Sequence, residues 1–311
     1  MSAKIGKNFF IRFLNKFLLK FGLLIQKNKL NELFIKKFKE NKGVKFNYIF
    51  KSVSNNDFDS IIFCVLNNLY DEKFKNIELA KLKKFDDNTK KYLFDVGAHN
   101  GESIERFKKI FPNSTIYSFE PIKKLSEELK KKYQSSNIKI FNYALDSTES
   151  IKNFIIYKKT KSSSLNKIVN KNWLKEKKEY FKKTQEINIL NMHQDKDYEV
   201  QEVETIKLDK FLLKNNEIDE IDLLKIDVQG SEEEVLKGCE SALKNQKIKI
   251  IEAEVYIAEL YHSDQILKMN QILDKYDYKI LAIDKASNLL AGRYYYFNTL
   301  FVNNEIYKKI H

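Results

Sequence analysis

The sequence predicts an α/β fold built on a mostly parallel sheet with helices on both faces. Three observations predict it. From Lys91 onward, short apolar runs alternate with helical stretches, and strands joined by helical crossovers lie parallel and buried on both faces. Gly97 and Gly101, four residues apart, link the first run to the first helix; that spacing makes a tight turn and aims a helix N-terminus at a ligand. Finally, 43% hydrophobic residues over 311 positions can fill a sizeable core, which excludes a mainly disordered chain.

The elements follow in order. Residues 57–70 carry a helical stripe of Phe58, Ile61, Ile62, Val65, Leu66 and Leu69, with Asp57 as N-cap. The run 92–94 is the first strand and ends at Asp95-Val96-Gly97. Residues 102–111 are helical up to Pro112, Thr115–Phe119 is the second strand, and Pro121 opens a helix over 123–133. Ile138–Phe141 is the third strand. Further strands fall at Ile221–Ile226, 248–254, 278–283 and 295–302, with helices near 232–238 and 262–275. Ser231 and Glu234 have the spacing of a capping box for the first of these helices. The stretch 149–205 departs from the alternation. Residues 151–157 read as a strand, and Ser162-Ser163-Ser164 with the lysine-rich stretch to Lys183 read as an insertion. Such an insertion is a usual place for a substrate loop, a solvated excursion being the other reading.

Charge is unevenly placed. The net +13 invites a nucleic-acid or membrane reading. Residues 1–45 hold twelve Lys/Arg against Glu32 and Glu40, a net of +10, whereas the remaining 44 basic and 41 acidic residues leave only +3. The basic arm is also amphipathic: Phe10, Phe13, Leu14, Phe17, Leu18, Phe21, Leu24 and Ile25 recur at helical steps. Arg12, Lys16 and Lys20 interrupt it, so it falls short of the ~20 apolar residues of a spanning helix. The same lysines, with no small-residue cleavage site, argue against a signal peptide. Residues 1–30 therefore read either as an interfacial helix on anionic lipid at the inner face of the membrane or as a helix packed on the protein's own core. Residues 1–87 form a basic amphipathic helical region ahead of a domain over 88–311. Cys64 and Cys239 are the only cysteines, with no C-x-x-C pair; a cytoplasmic, reducing setting fits.

Open α/β sheets bind ligands beyond the carboxyl ends of their strands, so the polar residues there are the candidates. The first end is Asp95, Gly97, Ala98, His99, Asn100 and Gly101. A dinucleotide turn would carry a middle glycine so that a pyrophosphate could approach the backbone. Here side chains fill that place, and no Walker lysine follows. The loop suits an adenosine ligand without phosphates, such as S-adenosylmethionine. Glu120, 19 residues beyond Gly101, is placed to accept the ribose hydroxyls. Pro121, then Asn142 and Ala144 after the third strand, and Asp227 after the fourth complete the donor set.

The chain here resembles the FkbM-type methyltransferases. The matching pieces are residues 94–101, Phe119-Glu120-Pro121, Thr205-Ile206-Lys207-Leu208-Asp209 and Leu224-Lys225-Ile226-Asp227-Val228-Gln229-Gly230-Ser231-Glu232, with Ile251-Glu252 and the closing Tyr-rich strand. The likeness spans roughly residues 88–303. It implies the class I methyltransferase fold, a seven-stranded Rossmann-like sheet whose last strand is antiparallel. It also implies methyl transfer from S-adenosylmethionine, commonly to a hydroxyl oxygen. The family usually has Glu where this chain has Gln229.

An alcohol acceptor must lose its proton as the new bond forms. His262, beyond the fifth main strand on the acceptor side, is the preferred base, with Asp227 next; the alternative for His262 is an ordinary helix-start histidine. No His/Cys spacing signals zinc, and a metal site is not expected. The leading reading is an O-methyltransferase acting on a sugar, glycan or related small molecule. A nucleic-acid methyltransferase or binding protein using the basic arm is opposed by the nearly neutral body and the lack of an Asn/Asp-Pro-Pro-Tyr-type motif. A non-catalytic methyltransferase-fold scaffold at a membrane is the third reading.

Overall fold

The computed structural model describes residues 55–68, 90–134, 137–157, 163–165, 198–256, 265–283, 289–290, 293–294 and 296–310. The helical arm expected over residues 8–40, the stretch 73–89 and His262 lie outside the described residues.

Seven strands form the central sheet: β1 (Tyr92–Val96), β2 (Thr115–Phe119), β3 (Ile138–Phe141), β7 (Ile221–Ile226), β8 (Ile248–Tyr256), β9 (Lys279–Ile283) and β12 (Tyr296–Val302). Their order is β3-β2-β1-β7-β8-β12-β9. All run parallel except β12, which pairs antiparallel with both β8 and β9. This is the class I arrangement, antiparallel last strand included.

A three-stranded side sheet joins β4 (Ala144–Leu145), β5 (Ser150–Tyr157) and β6 (Tyr198–Ile206), and β10 (Leu289–Leu290) pairs with β11 (Arg293–Tyr294). The insertion thus begins and ends as an antiparallel pair, β5 with β6. Its residue Ser164 bridges Ile155 through two backbone hydrogen bonds of 2.9 and 3.1 Å.

Alternate residues of each central strand enter different cores. Phe94, Tyr117, Phe119, Leu224, Ile226 and Ile251 pack on one face, under α4 (Leu208–Lys214), α5 (Glu232–Lys237), α6 (Glu240–Lys244) and α7 (Gln265–Lys275). An aromatic stack runs across this face, with Phe94 on Tyr117 at 4.9 Å and Phe211 edge-on to Phe141 at 4.9 Å. Leu93, Ile116, Leu223, Ile250 and Leu300 fill the other face. There they meet α1 (Asn55–Leu66), α2 (Glu102–Ile110), α3 (Lys123–Lys132) and α8 (Asn304–Ile310). Phe58, Ile62, Phe63, Val65 and Leu66 of α1 belong to this core although they precede residue 88.

Three local expectations are corrected. The helix α1 begins at Asn55, so Asp57 lies within it rather than capping it. The N-cap of α3 is Ile122, which leaves Pro121 outside the helix. The capping box does not form either, because α5 has no side-chain cap hydrogen bond and Glu234 bonds Ser147 and Lys237 instead. Competition from those partners removes the carboxylate that the spacing had assigned to the cap.

Candidate functional site

The sheet register sets two polar rows across the face that α1 and α2 cover. In the lower row Asp95 lies opposite Ser118 and Lys225, and Lys225 lies opposite Glu252. Two residues further along each chain, the upper row reaches the carboxyl rim as Glu120, Gly97, Asp227 and Glu254, with Asn298 opposite Glu254. One-residue steps in any of these strands would turn the row into the apolar core, since side chains alternate faces.

The lower row is a buried charge relay of structure rather than a ligand surface. Asp95 is fully buried and accepts a hydrogen bond from the Ser118 hydroxyl at 3.1 Å, with the Lys225 ammonium 3.9 Å from its other oxygen. Burial raises the Asp95 pKa against the pull of Lys225 and Ser118. Burial disfavours charge on Lys225 too, but Asp227 and Asp95 outweigh it and raise its pKa, so it remains an ammonium. At the end of the row Glu252 accepts both arms of the Arg106 guanidinium, with Nη1 to Oε1 at 2.8 Å. Asp59 of α1 lies 3.5 Å from Arg106 Nε. Asp95, expected among the donor ligands, is thus fully buried one step below the rim, against Ser118 and Lys225.

The turn after β1 is shaped by its backbone. Gly97 takes φ 88° and its amide, like that of Ala98, donates to the Phe119 carbonyl. A Cβ at position 97 would stand 2.0 Å from the Asp227 carbonyl oxygen, so only glycine lets the first and fourth strand ends meet. His99 follows in the left-handed region, φ 47°, and its backbone N–H donates to Glu120 Oε2 at 2.7 Å. Ala98 is buried, Asn100 is exposed, and Gly101 begins α2 with φ 79°.

Glu120 is 3% exposed, and its Oε1 accepts the Ile122 N–H at 2.8 Å. Burial lifts its pKa to about 7, opposed by the two backbone donors and helped by Asp95. Asn142 fixes this corner by donating to the carbonyls of Glu120 and Pro121, each at 2.9 Å. Gln201 of β6 donates to the Pro121 carbonyl as well, at 3.1 Å. Ala144 packs with Ile122, Leu125, Phe154 and Val203 in the small core under the side sheet.

Asp227 closes the rim on the other side. Its Oδ2 accepts from Lys225 at 3.0 Å and its Oδ1 from the Gln229 side-chain amide at 2.9 Å. Burial would raise its pKa, but Lys225 and the donors on both oxygens prevail and hold it below the usual carboxylate value. Gln229 also donates to Glu254 Oε2 at 2.8 Å. Beneath that loop the buried Glu232 accepts the N–H groups of Val228 and Gly230, and burial lifts its pKa to about 7.

The structure brings together Gly97, His99, Glu120, Pro121 and Asn142 on one side of the rim and Asp227 on the other. Sequence reading marked Gln229 as a departure from the family pattern without its partners, and missed Lys225 and Arg106 as parts of the arrangement. The signal was present for Lys225, a lone cation inside an apolar strand two residues before Asp227. A rim of this composition can accept hydroxyl hydrogens and attract cations, and it repels phosphate. A surface cleft of about 630 Å³ lies at the opposite, amino edge of the sheet, between Lys244, Tyr276, Asn304 and Lys308. Ligands of open α/β sheets bind at the carboxyl ends, and every chemistry-bearing residue above lies there.

Comparisons with known proteins identify the family of the chain. The model of the methyltransferase FkbM domain matches residues 95–280. The search of curated proteins gave no match. Among solved structures the chain is similar to a precorrin-6y C5,15-methyltransferase from Geobacter metallireducens, at 10% identity over 84% of this chain and 93% of that one, TM-score 0.37. It is also similar to an S-adenosylmethionine-dependent methyltransferase from Aquifex aeolicus, at 11% identity over 78% and 97% of the two chains, TM-score 0.33. Because the family match covers more than half of the sequence and contains both glycines of the turn, Glu120 and Asp227, the chain belongs to the FkbM methyltransferase domain family.

Proposed function

We propose that this chain uses S-adenosylmethionine to methylate a hydroxyl oxygen on a sugar, glycan or related small molecule. The observation that supports the donor best is Glu120. Each of its oxygens takes one backbone N–H and keeps a lone pair for a ribose hydroxyl. The surrounding residues fit the same ligand. Side chains occupy the turn where a pyrophosphate would need bare backbone. Glu120, Asp227 and Glu254 make the rim acidic, with Lys225 already shared between Asp95 and Asp227. Such a rim favours a sulfonium and an ammonium over phosphates.

When bound, S-adenosylmethionine supplies a methyl group already activated by its positive sulfur. The chain's residues then have two tasks. Glu120 and the turn 97–101 fix the nucleoside, and the Asp227 side of the rim aligns the acceptor oxygen with the carbon–sulfur bond. His262 takes the hydroxyl proton as the oxygen–carbon bond forms. Asp227, held as an anion by Lys225 and the Gln229 amide, accepts the hydroxyl hydrogen bond and orients it; a carboxylate whose pKa is lowered suits an acceptor better than a proton carrier.

Calorimetry with sinefungin tests the donor: wild type is expected to bind, and Glu120→Ala to bind at least roughly tenfold more weakly. No heat and no melting shift with wild type would overturn the reading. Tritium transfer from labelled donor to fractionated glycans tests the acceptor, with His262→Ala expected to slow it roughly tenfold or more at unchanged donor affinity. A salt-dependent shift of DNA or RNA would favour the nucleic-acid alternative. No described helix is long and apolar enough to cross a membrane. Peripheral contact through residues 1–30 is tested by flotation with anionic vesicles, where equal binding by the full chain and a form lacking those residues would exclude it.

A further inference from the structure

We propose that Gln229 is the positioning residue of the acceptor side, its side-chain amide tying the Asp227 and Glu254 carboxylates together across two strand ends. The inference rests on the methyl-transfer reading for its purpose and on the hydrogen bonds for its content. Asp227 follows β7 and Glu254 lies in β8, neighbours in the sheet with their side chains on one face. Two carboxylates brought this close repel unless something between them donates hydrogen or carries positive charge. One amide nitrogen has two hydrogens, and here each reaches a different carboxylate, at 2.9 and 2.8 Å.

The backbone is arranged for this. Gln229 takes φ 57°, a left-handed conformation that costs a non-glycine residue energy and persists where neighbours over-determine it. They do so from two sides. Glu232 holds the N–H groups of Val228 and Gly230 from below. The Ser164 hydroxyl, reaching in from the insertion, donates to the Val228 carbonyl at 3.2 Å. The strained turn thus delivers a neutral double donor to a place where an acid would leave three carboxylates in contact, with Lys225 engaged by Asp95 and Asp227. The bridge fixes the spacing of the two oxygens an acceptor hydroxyl would meet, and it does so with no charge of its own.

Charge bookkeeping gives the test. Thermal melting at neutral pH, with and without millimolar CaCl2, is compared for wild type, Gln229→Glu and the swap Gln229→Glu/Glu254→Gln. All keep a non-glycine residue at the left-handed position, so the backbone cost cancels. Gln229→Glu is expected to melt about 5 °C lower than wild type and to regain at least half of that with calcium, which wild type ignores. The swap returns one amide and two carboxylates to the cluster and is expected to melt within about 2 °C of wild type without calcium. If Gln229→Glu melts like wild type and ignores calcium, or if the swap melts as low as the single variant, the bridge is not what holds the pair. Should Gln229→Glu fail to fold, Gln229→Met and Gln229→Lys decide: loss with the donor-free side chain and recovery with the cationic one support the bridge, and equal melting overturns it. S-adenosylhomocysteine binding by wild type is measured in parallel. Its absence would remove the methyl-transfer reading while leaving the melting comparison to judge Gln229.

Discussion

Glu120 shows how one carboxylate can serve both structure and ligand. It is buried between two backbone donors, and its pKa of about 7 places its titration in the physiological range. Only the ionised form offers lone pairs without a competing proton to both ribose hydroxyls. Binding of S-adenosylhomocysteine should therefore tighten about tenfold between roughly pH 6 and pH 8, following the ionised fraction of this group. Calorimetry at several pH values checks this, and Glu120→Gln should flatten the profile as well as weaken binding. A wild-type affinity independent of pH over that range, together with unweakened binding by Glu120→Gln, would mean that Glu120 does not contact the ligand. Asp227 behaves oppositely: with its pKa depressed it stays charged throughout and adds nothing to the slope.

Among the elements, α1 has the consequence least visible in the chain. Phe63 stacks on Phe111 at 5.8 Å, and Phe58 and Ile62 enter the same core as Leu93 and Ile250. Phe63→Ala should cost about 3–5 kcal/mol, as truncation of a buried aromatic does. It should also lower the single melting transition of the whole domain; an unchanged transition would mean that α1 is an appendage. The helical stripe announced the helix but not its docking place, because that depends on Leu93, Ile116 and Ile250 forming one sheet face. The central strands were legible for the opposite reason. Buried parallel strands are nearly all apolar, so Ile221–Ile226 and Thr115–Phe119 stand out locally. β6 was not legible, since Glu199, Gln201, Glu202 and Glu204 interrupt it and its apolar face covers only a side sheet. The site divided likewise. Gly97 and Glu120 occupy fixed places relative to strand ends, whereas Gln229 stood out in the sequence only as a departure from the family pattern, and its partners emerged when the register brought Glu254 beside Asp227. Pairing between distant strands is what a linear pattern hides.

For the whole molecule, the acids buried under and around the rim set a pH dependence that can be worked out in sign. Burial raises Asp59 to about 6, despite Arg106 beside it, and raises Glu120 and Glu232 to about 7 each. A carboxyl whose folded pKa lies above its unfolded value stabilises the fold fully below the unfolded value, and that contribution disappears as pH rises through the folded one. For these three groups the window runs from roughly pH 4 to pH 7. Asp227 and Glu234, depressed in the fold, act the other way, and their contribution is lost only below the usual carboxylate range. Thermal stability should therefore peak near roughly pH 5 and decline toward pH 8. The decline should be smaller in Glu232→Gln, which keeps the shape of the buried side chain without its charge, and smaller again when S-adenosylhomocysteine is present, because the ligand binds best where Glu120 is ionised. Melting temperatures across this range, with and without the ligand, provide the check. A flat or rising profile from pH 5 to pH 8 would show that the rim acids are better solvated than their positions imply. The acidic rim is then a site kept charged at a cost in stability, a cost that a cationic ligand offsets when it binds.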